Sequence, residues 1–182
     1  MTRSDQPESL AGQSQATVLI FSDSHGSSSF LLRTAARHPD ADLVIHLGDH
    51  GNLLSELSRQ CPIPMKGVAG NCDGWHGRHL PSTLLLEIAG RRVFLSHGHH
   101  YGVKNQLDKL IKAGSASPYH ADVILFGHTH QALERTIAAD GRQILLVNPG
   151  SCRTGSFSQP ASAVIMQFLP DRINVDFLLD LP

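Results

Sequence analysis

Two imidazoles, His128 and His130, stand one residue apart in Gly127-His128-Thr129-His130. They follow the apolar run Val123-Ile124-Leu125-Phe126, which has the composition of a buried strand. If the backbone stays extended past that strand, both rings point to one side. Imidazole is the commonest protein ligand for metals. Four further apolar runs also stop at metal-binding residue types. Val18-Leu19-Ile20-Phe21 leads into Ser22-Asp23-Ser24-His25, and Leu43-Val44-Ile45-His46-Leu47 into Gly48-Asp49-His50. Met65-Lys66-Gly67-Val68 leads into Ala69-Gly70-Asn71-Cys72-Asp73, and Val93-Phe94-Leu95 into Ser96-His97-Gly98-His99-His100.

Each of these turns has an ordinary reading, because Asp, Asn and Gly are common where strands end. The ordered set with four histidines points to metal. Asp23, Asp49 and Asn71 offer oxygen, while His25, His97, His128 and His130 offer nitrogen. No thiolate is required. That mixture suits Mn²⁺, Fe²⁺, Co²⁺, Ni²⁺ or Zn²⁺ better than Mg²⁺ or Ca²⁺. Seven ligands exceed what one ion with an open position needs, and two ions sharing a carboxylate account for the number. Such a pair, ~3.5–4 Å apart, can clamp the oxygens of a displacement at phosphorus and make a water nucleophilic at neutral pH.

The elements that must position these residues alternate between strand and helix. Strands are expected at 17–22, 43–47 and 63–68, with helices at 27–38 and 52–60 between them. That order implies parallel strands joined by right-handed crossovers. Ser residues before the first helix are candidate caps, and Pro39 ends it. The pair 83–88 and 91–95 flanks Ala89-Gly90, a hairpin signal. A helix is expected at 101–113, stopped by Gly114, and a strand at 122–126. The last third reads as strands 132–138, 143–147, 161–169 and 173–179, with Asn148-Pro149-Gly150-Ser151 as a tight turn. In open α/β sheets, ligands collect beyond the carboxyl ends of strands, where all five motifs lie.

The chain has 182 residues, enough for one sizeable core. We expect a disordered tail at 1–16 and a single domain at 17–182. A net charge of −1 argues against long nucleic acid or an anionic membrane as partner. It leaves room for an anionic substrate, because bound cations would supply local positive charge. Three widely spaced cysteines fit a reducing cytoplasm rather than a disulfide framework. No apolar run of ~20 residues suggests a membrane span, and the polar N-terminus is no secretory signal. Cytoplasmic localisation is the expectation. A homo-oligomer stays open, since edge strands near the C-terminus could pair between chains.

Asp23-Ser24-His25, Gly48-Asp49, Gly70-Asn71, His97 and Gly127-His128-Thr129-His130 together resemble the calcineurin-like metallophosphoesterase superfamily. Gly70-Asn71-Cys72-Asp73, Ser96-His97-Gly98-His99 and Val147-Asn148-Pro149-Gly150-Ser151 look like its small bacterial and archaeal phosphodiesterase branch. The resemblance implies a four-layer αββα sandwich of two mixed sheets flanked by helices. It also implies two divalent ions, Mn²⁺ first. Asp23, His25 and His130 would hold one ion, and Asn71, His97 and His128 the other. Asp49 would bridge them, and a hydroxide between the ions would attack a phosphodiester. A small phosphomonoester is the alternative substrate, and a scaffold protein like the retromer subunit of this fold is the alternative role. Many members carry His directly after the motif Asn, where it can protonate the leaving group. Here that position is Cys72, so His99 is the first candidate to contact phosphate or act as acid, with a supporting hydrogen bond as its other reading. Asp73 reads as an Asx-turn former or an acceptor behind the site rather than a catalytic group. His46 and His50 read as structural, and Asn148 to Ser151 as a wall.

Overall fold

The computed structural model describes residues 10, 12–50, 54–153 and 160–181. Ten strands form two five-stranded sheets. The first sheet contains β1 (Ala16–Phe21), β2 (Leu43–His46), β3 (Met65–Gly67), β9 (Ser162–Phe168) and β10 (Ile173–Leu179), in the order β10-β9-β1-β2-β3. The second contains β4 (Thr83–Ile88), β5 (Arg91–Ser96), β6 (Val123–Phe126), β7 (Ala132–Ala139) and β8 (Arg142–Pro149), in the order β4-β5-β6-β8-β7. Both are mixed. β1, β2 and β3 run parallel, as do β5, β6 and β8, while β9, β10, β4 and β7 pair antiparallel.

Alternation along the strands builds the layers. Val18 and Ile20 of β1 face the second sheet, where they meet Val93 and Leu95 of β5 and Val123 and Leu125 of β6 in one apolar cluster. Leu19 and Phe21 point the other way and pack with Phe30, Leu31 and Ala35 of α1 (Ser29–Arg37) and Leu57 of α2 (Leu54–Gln60). On the far side, Phe94, Ile124, Phe126 and Leu146 pack with Leu110 of α3 (Asp108–Ser115). Strands with apolar residues on both faces are the mark of sheets covered on both sides. Three apolar clusters separate four layers, helix, sheet, sheet and helix, as expected. Each large side chain fully buried there contributes roughly 1.5–3 kcal/mol.

Several local expectations need correction. The helix expected at 101–113 is a 3-10 turn at His99–Tyr101, then turns, then α3. Gly98 and Gly102 adopt φ of 97° and 66°, which breaks any continuous helix there. Gly114 does not stop α3 but lies inside its last turn, where an added Cβ would stand 2.6 Å from Ile124 Cδ1, so the glycine serves close packing on β6. Ser28, at the start of α1, makes no side-chain capping bond. β3 is shorter than expected, and β8 continues through Asn148 to Pro149 before the chain turns. The expected tail falls mostly outside the described residues. Leu10, which is described, bridges Ile88 at the edge of β4 and packs against the inter-sheet cluster. Residues 52 and 53 of the expected second helix also lie outside them. No described helix is long and apolar enough to cross a membrane.

The sheets lie close enough for turns of one to press on turns of the other. An added Cβ on Gly127, after β6, would collide with Ser22 Oγ and stand 2.9 Å from Asp23 Oδ2, after β1. Only a glycine permits that approach. Gly127→Ala should therefore cost about 1–3 kcal/mol of stability and weaken divalent-cation binding. Urea unfolding with and without Mn²⁺ checks this, and unchanged midpoints would refute it.

β2 ends on His46, which is fully buried. Its Nδ1 accepts from the Gly48 N–H at 3.3 Å, so Nε2 carries the proton and faces Ser24 Oγ at 3.2 Å. Burial first, then the neighbouring His50, push its pKa down to about 3. An unfolded histidine titrates near ~6.5. As pH falls from there, the unfolded chain takes up the proton and the folded one does not, so stability is lost between that value and the folded pKa. The loss amounts to about 3 kcal/mol by pH ~4. Relative to a His46→Gln variant, the wild type should lose that much between pH ~7 and ~4. Parallel stability profiles would contradict the assignment.

Candidate metal centre

The carboxyl ends of β1, β2, β5 and β6, with the turn after β3, converge between the sheets. The ligand atoms of Asp23, His25 and His130 lie within 4.8 Å of one another, and so do those of Asp49, His97 and His128. Asn71 joins the second group, with Oδ1 3.2 Å from His97 Nε2. All seven expected ligands are thus brought together. The two groups adjoin: His97 Nε2 stands 3.4 Å from Asp49 Oδ2 and 3.9 Å from Asp23 Oδ1, and His25 Nε2 is 3.9 Å from Asp49 Oδ2.

The backbone reaches this arrangement differently from the expected extension. Asp23, His25, Asp49, His128 and His130 all have positive φ, from 45° to 69°. A non-glycine residue there is uncommon and costs of order 1 kcal/mol or more. After each strand the chain curls left-handed, so His128 and His130 serve different groups instead of lining one side. Short hydrogen bonds hold the curls. Asp73 Oδ2 accepts the N–H groups of Asp49 (2.9 Å) and Gly70 (2.7 Å). Asp49 Oδ1 accepts the Cys72 N–H at 2.7 Å, and Asp23 Oδ2 accepts the His128 N–H at 2.9 Å. An added Cβ on Gly70 would overlap the Asp49 carboxylate and N–H.

Each carboxylate is therefore fixed through one oxygen, leaving the other facing the centre. Asp23 Oδ1 is buried and has no hydrogen bond, although His130 Nε2 lies 3.1 Å away. Leaving a buried anionic oxygen unsatisfied costs several kcal/mol unless a cation completes it. His97 makes the same point. Its Nδ1 lies 2.8 Å from the Leu47 carbonyl, which can only accept, so Nδ1 carries a proton. Nε2 then faces oxygens of Asp49, Asp23 and Asn71. A backbone carbonyl orienting one imidazole nitrogen while the other ligates is the usual support of a metal histidine. The nitrogen and oxygen donors fit a divalent transition ion.

The electrostatics agree. Burial would raise the Asp49 carboxyl, but hydrogen bonds from His97 and the Cys72 N–H outweigh it and hold it well below the carboxylate range. Asp23 is lowered as well, with burial opposed by His130, His97 and Ser22. Burial alone would lower His97, yet the two carboxylates raise it. His128 is lowered, chiefly by burial and by His97. His99 falls to about 4 through burial, His100 and His97. It is therefore neutral at neutral pH, and its Nδ1 is buried without a partner. Its ring centroid lies 5.3 Å from that of His97 and 6.1 Å from that of His128.

Other residues fall as follows. Asp73 is the acceptor behind the site, with His50 Nδ1 3.4 Å from its Oδ1. Asn148 donates through Nδ2 to the Gly127 carbonyl and to Thr129 Oγ1, each at 3.0 Å, so it braces the His128 turn rather than merely forming a wall. Ser151 Oγ donates to the Asp23 carbonyl at 2.8 Å, and Ser22 Oγ to Asp23 Oδ2 at 2.6 Å. Ser151 was expected only as part of a wall, and the bond from Ser22 escaped the sequence reading. Ser22, next to Asp23, was the available signal. Cys61 and Cys152 are buried, whereas Cys72 is exposed. Burial, then the Asp49 carboxylate, push the Cys72 thiol up, so without a cation it is protonated.

Comparisons with known proteins agree with this geometry. Residues 17–169 match the family model described as the calcineurin-like phosphoesterase superfamily domain. A probable metallophosphoesterase of Bacillus subtilis (strain 168) is 37% identical over 163 residues, covering 88% of this chain and 89% of that protein. A phosphodiesterase of Methanocaldococcus jannaschii is 34% identical over 148 residues, covering 73% and 82% respectively. Among solved structures, a conserved uncharacterised protein of Streptococcus pneumoniae TIGR4 superposes with a TM-score of 0.72 at 25% identity, covering 92% of this chain and 91% of that one. With donors, curled turns and matched span all in one chain, the protein belongs to the calcineurin-like phosphoesterase superfamily.

Proposed function

We propose that this chain is a metal-dependent phosphodiesterase acting on a small phosphodiester. The observation that carries this reading is the pair of adjoining ligand groups, with a buried carboxylate oxygen in one of them that no hydrogen bond satisfies. Asp23, His25 and His130 would hold one divalent ion, and Asn71, His97 and His128 a second, with Asp49 shared. Manganese is the first choice of metal by resemblance to the family, and the donor set accommodates Ni²⁺, Fe²⁺, Co²⁺ and Zn²⁺ as well. When bound, the ions supply positive charge for the ester oxygens and a water acidic enough to attack phosphorus at neutral pH.

The chain's own residues set the rest. Asp23, Asp49 and His97 form a buried floor, whereas Asn71 and His130 reach solvent, so a substrate enters from one open side. His99, neutral at the rim, donates a hydrogen bond to a phosphoryl oxygen. A neutral imidazole with a pKa of about 4 is a poor source of a proton for a leaving alkoxide. Substrates with leaving groups that need little protonation are therefore favoured. The diester preference is supported by the phosphodiesterase name of the Methanocaldococcus jannaschii relative. The scaffold alternative predicts degraded ligands, and all seven positions here hold competent types. A cytoplasmic setting remains part of the proposal, resting on exposed Cys72 and the lack of a disulfide framework.

Asp49→Asn and His128→Ala should each lower hydrolysis of an activated aryl phosphodiester by about 10²-fold or more, consistent with losing charge stabilisation at the reacting centre. His50→Ala should change it only a few-fold, because His50 reaches the centre through Asp73. Steady-state assays with Mn²⁺ on matched mono- and diester substrates test all three variants and the diester preference together. Wild-type rates from Asp49→Asn, or a monoester turned over faster than its diester, would refute the respective parts.

A further inference from the structure

A third group of ligand atoms lies within the same 4.8 Å limit: His25, Asp49 and Cys72. Neither the expected ligand set nor the proposed reaction uses the thiol. Cys72 is exposed, and its backbone is anchored beside the centre while its side chain meets Asn71. Its N–H donates to Asp49 Oδ1 at 2.7 Å, and Asn71 Nδ2 approaches its Sγ at 3.2 Å. The thiol therefore stands beside the shared carboxylate on the open side, across from His25, whose side chain is 22% exposed.

We propose that His25, Asp49 and Cys72 form an alternative site for a soft, thiophilic divalent cation such as Cd²⁺, and that filling it blocks the phosphodiesterase centre. The proposal rests on the reading of His25 and Asp49 as ligands of that centre.

Chemistry separates this site from its neighbours. Oxygen and imidazole donors serve Mn²⁺ well, and a thiolate adds little for a hard ion. Soft thiolate selects Zn²⁺ and related ions. Tetrahedral bonds of ~2.0–2.3 Å place ligand atoms roughly 3.3–3.8 Å apart. An exposed cysteine and a partly exposed histidine can close from the present spacing to that one by side-chain rotation. One sulfur–cation bond forms, the S–H bond breaks, and its proton passes to buffer. No oxidant is involved. Such an ion draws His25 away from Asp23 and His130 and shares Asp49 with His97 and His128. It also occupies the solvent-facing side through which an ester must enter. Two metal classes thus have opposite effects on one protein, and the branch point is the residue after Asn71.

The test titrates Cd²⁺ into metal-depleted full-length protein and follows the ultraviolet sulfur-to-cadmium charge-transfer band. One Cd–S bond per chain is expected in the wild type. Cys72→Ser should abolish the band, while Cys61→Ser should keep it, because Cys61 is buried in the helix-covered cluster. His25→Ala should weaken Cd²⁺ binding at least tenfold. Circular dichroism verifies that each variant is folded. A second arm measures Cd²⁺ inhibition of the Mn²⁺-loaded protein, each variant normalised to its own uninhibited rate, where Cys72→Ser should raise the half-inhibitory concentration at least tenfold over the wild type's. A wild type without the band, a band that survives Cys72→Ser, or equal inhibition of both proteins overturns the proposal. Mn²⁺-dependent hydrolysis without the band sinks this proposal alone. The band without hydrolysis under any metal sinks the phosphodiesterase reading and leaves the thiolate site standing.

Discussion

Two carboxylates, Asp23 and Asp49, are removed from water and aimed at one place, and the rest of the centre answers that constraint. Each is 2% exposed or less. Taking an ionised carboxylate out of water costs several kcal/mol even after relaxation. Part of the cost is offset by N–H donors at Asp49 Oδ1 and Asp23 Oδ2, and part by His97 between the two. What remains is an anionic pocket whose inward oxygens face imidazole nitrogens. Protonated histidine can balance it only in part, whereas divalent cations balance it fully. The same charge deficit makes the site stable when loaded and useful for holding a phosphate ester.

Holding the donors there strains the chain. Five ligand residues adopt left-handed backbone geometry that their side chains disfavour. Such strain persists only where the surroundings over-determine it. Here they do so from both sheets. Asp73 ties the Asp49 turn to Gly70, Asn148 ties the His128 turn to Thr129, and Ser151 ties down the Asp23 carbonyl. The inter-sheet apolar cluster supplies the rigid base from which these turns project. Fold stability is thus invested in side-chain placement, and the close glycine contacts are where the two sheets transmit it.

Much of this could be read from residue order. The strand-then-ligand motifs picked out seven residues that the fold brings to one place, and apolar runs flanked by helical stretches indicated sheets covered on both faces. Conformation at the strand ends was not legible. Nothing in Gly127-His128-Thr129-His130 announces that both histidines turn left-handed, because that choice is imposed by Asp23 Oδ2 and Asn148, more than a hundred and about twenty residues away in the chain. The stretch after His97 misled for the opposite reason. Val103, Leu107, Leu110 and Ile111 have helical spacing, but Gly98 and Gly102 take up left-handed turns that delay the helix to Asp108. Local periodicity predicts which side chains are buried better than where a helix begins. Cys72 was visible as a departure from the common pattern, yet its neighbours His25 and Asp49 arrive only through the fold.

The account stands on the claim that the converging turns hold two cations. Metal analysis of purified protein, depleted and then reconstituted with Mn²⁺, tests it most directly when paired with a phosphodiester assay on the same sample. Two equivalents of metal per chain are expected, with hydrolysis rising as the second is taken up and both lost together in Asp49→Asn. Full hydrolysis with one equivalent or none would contradict it.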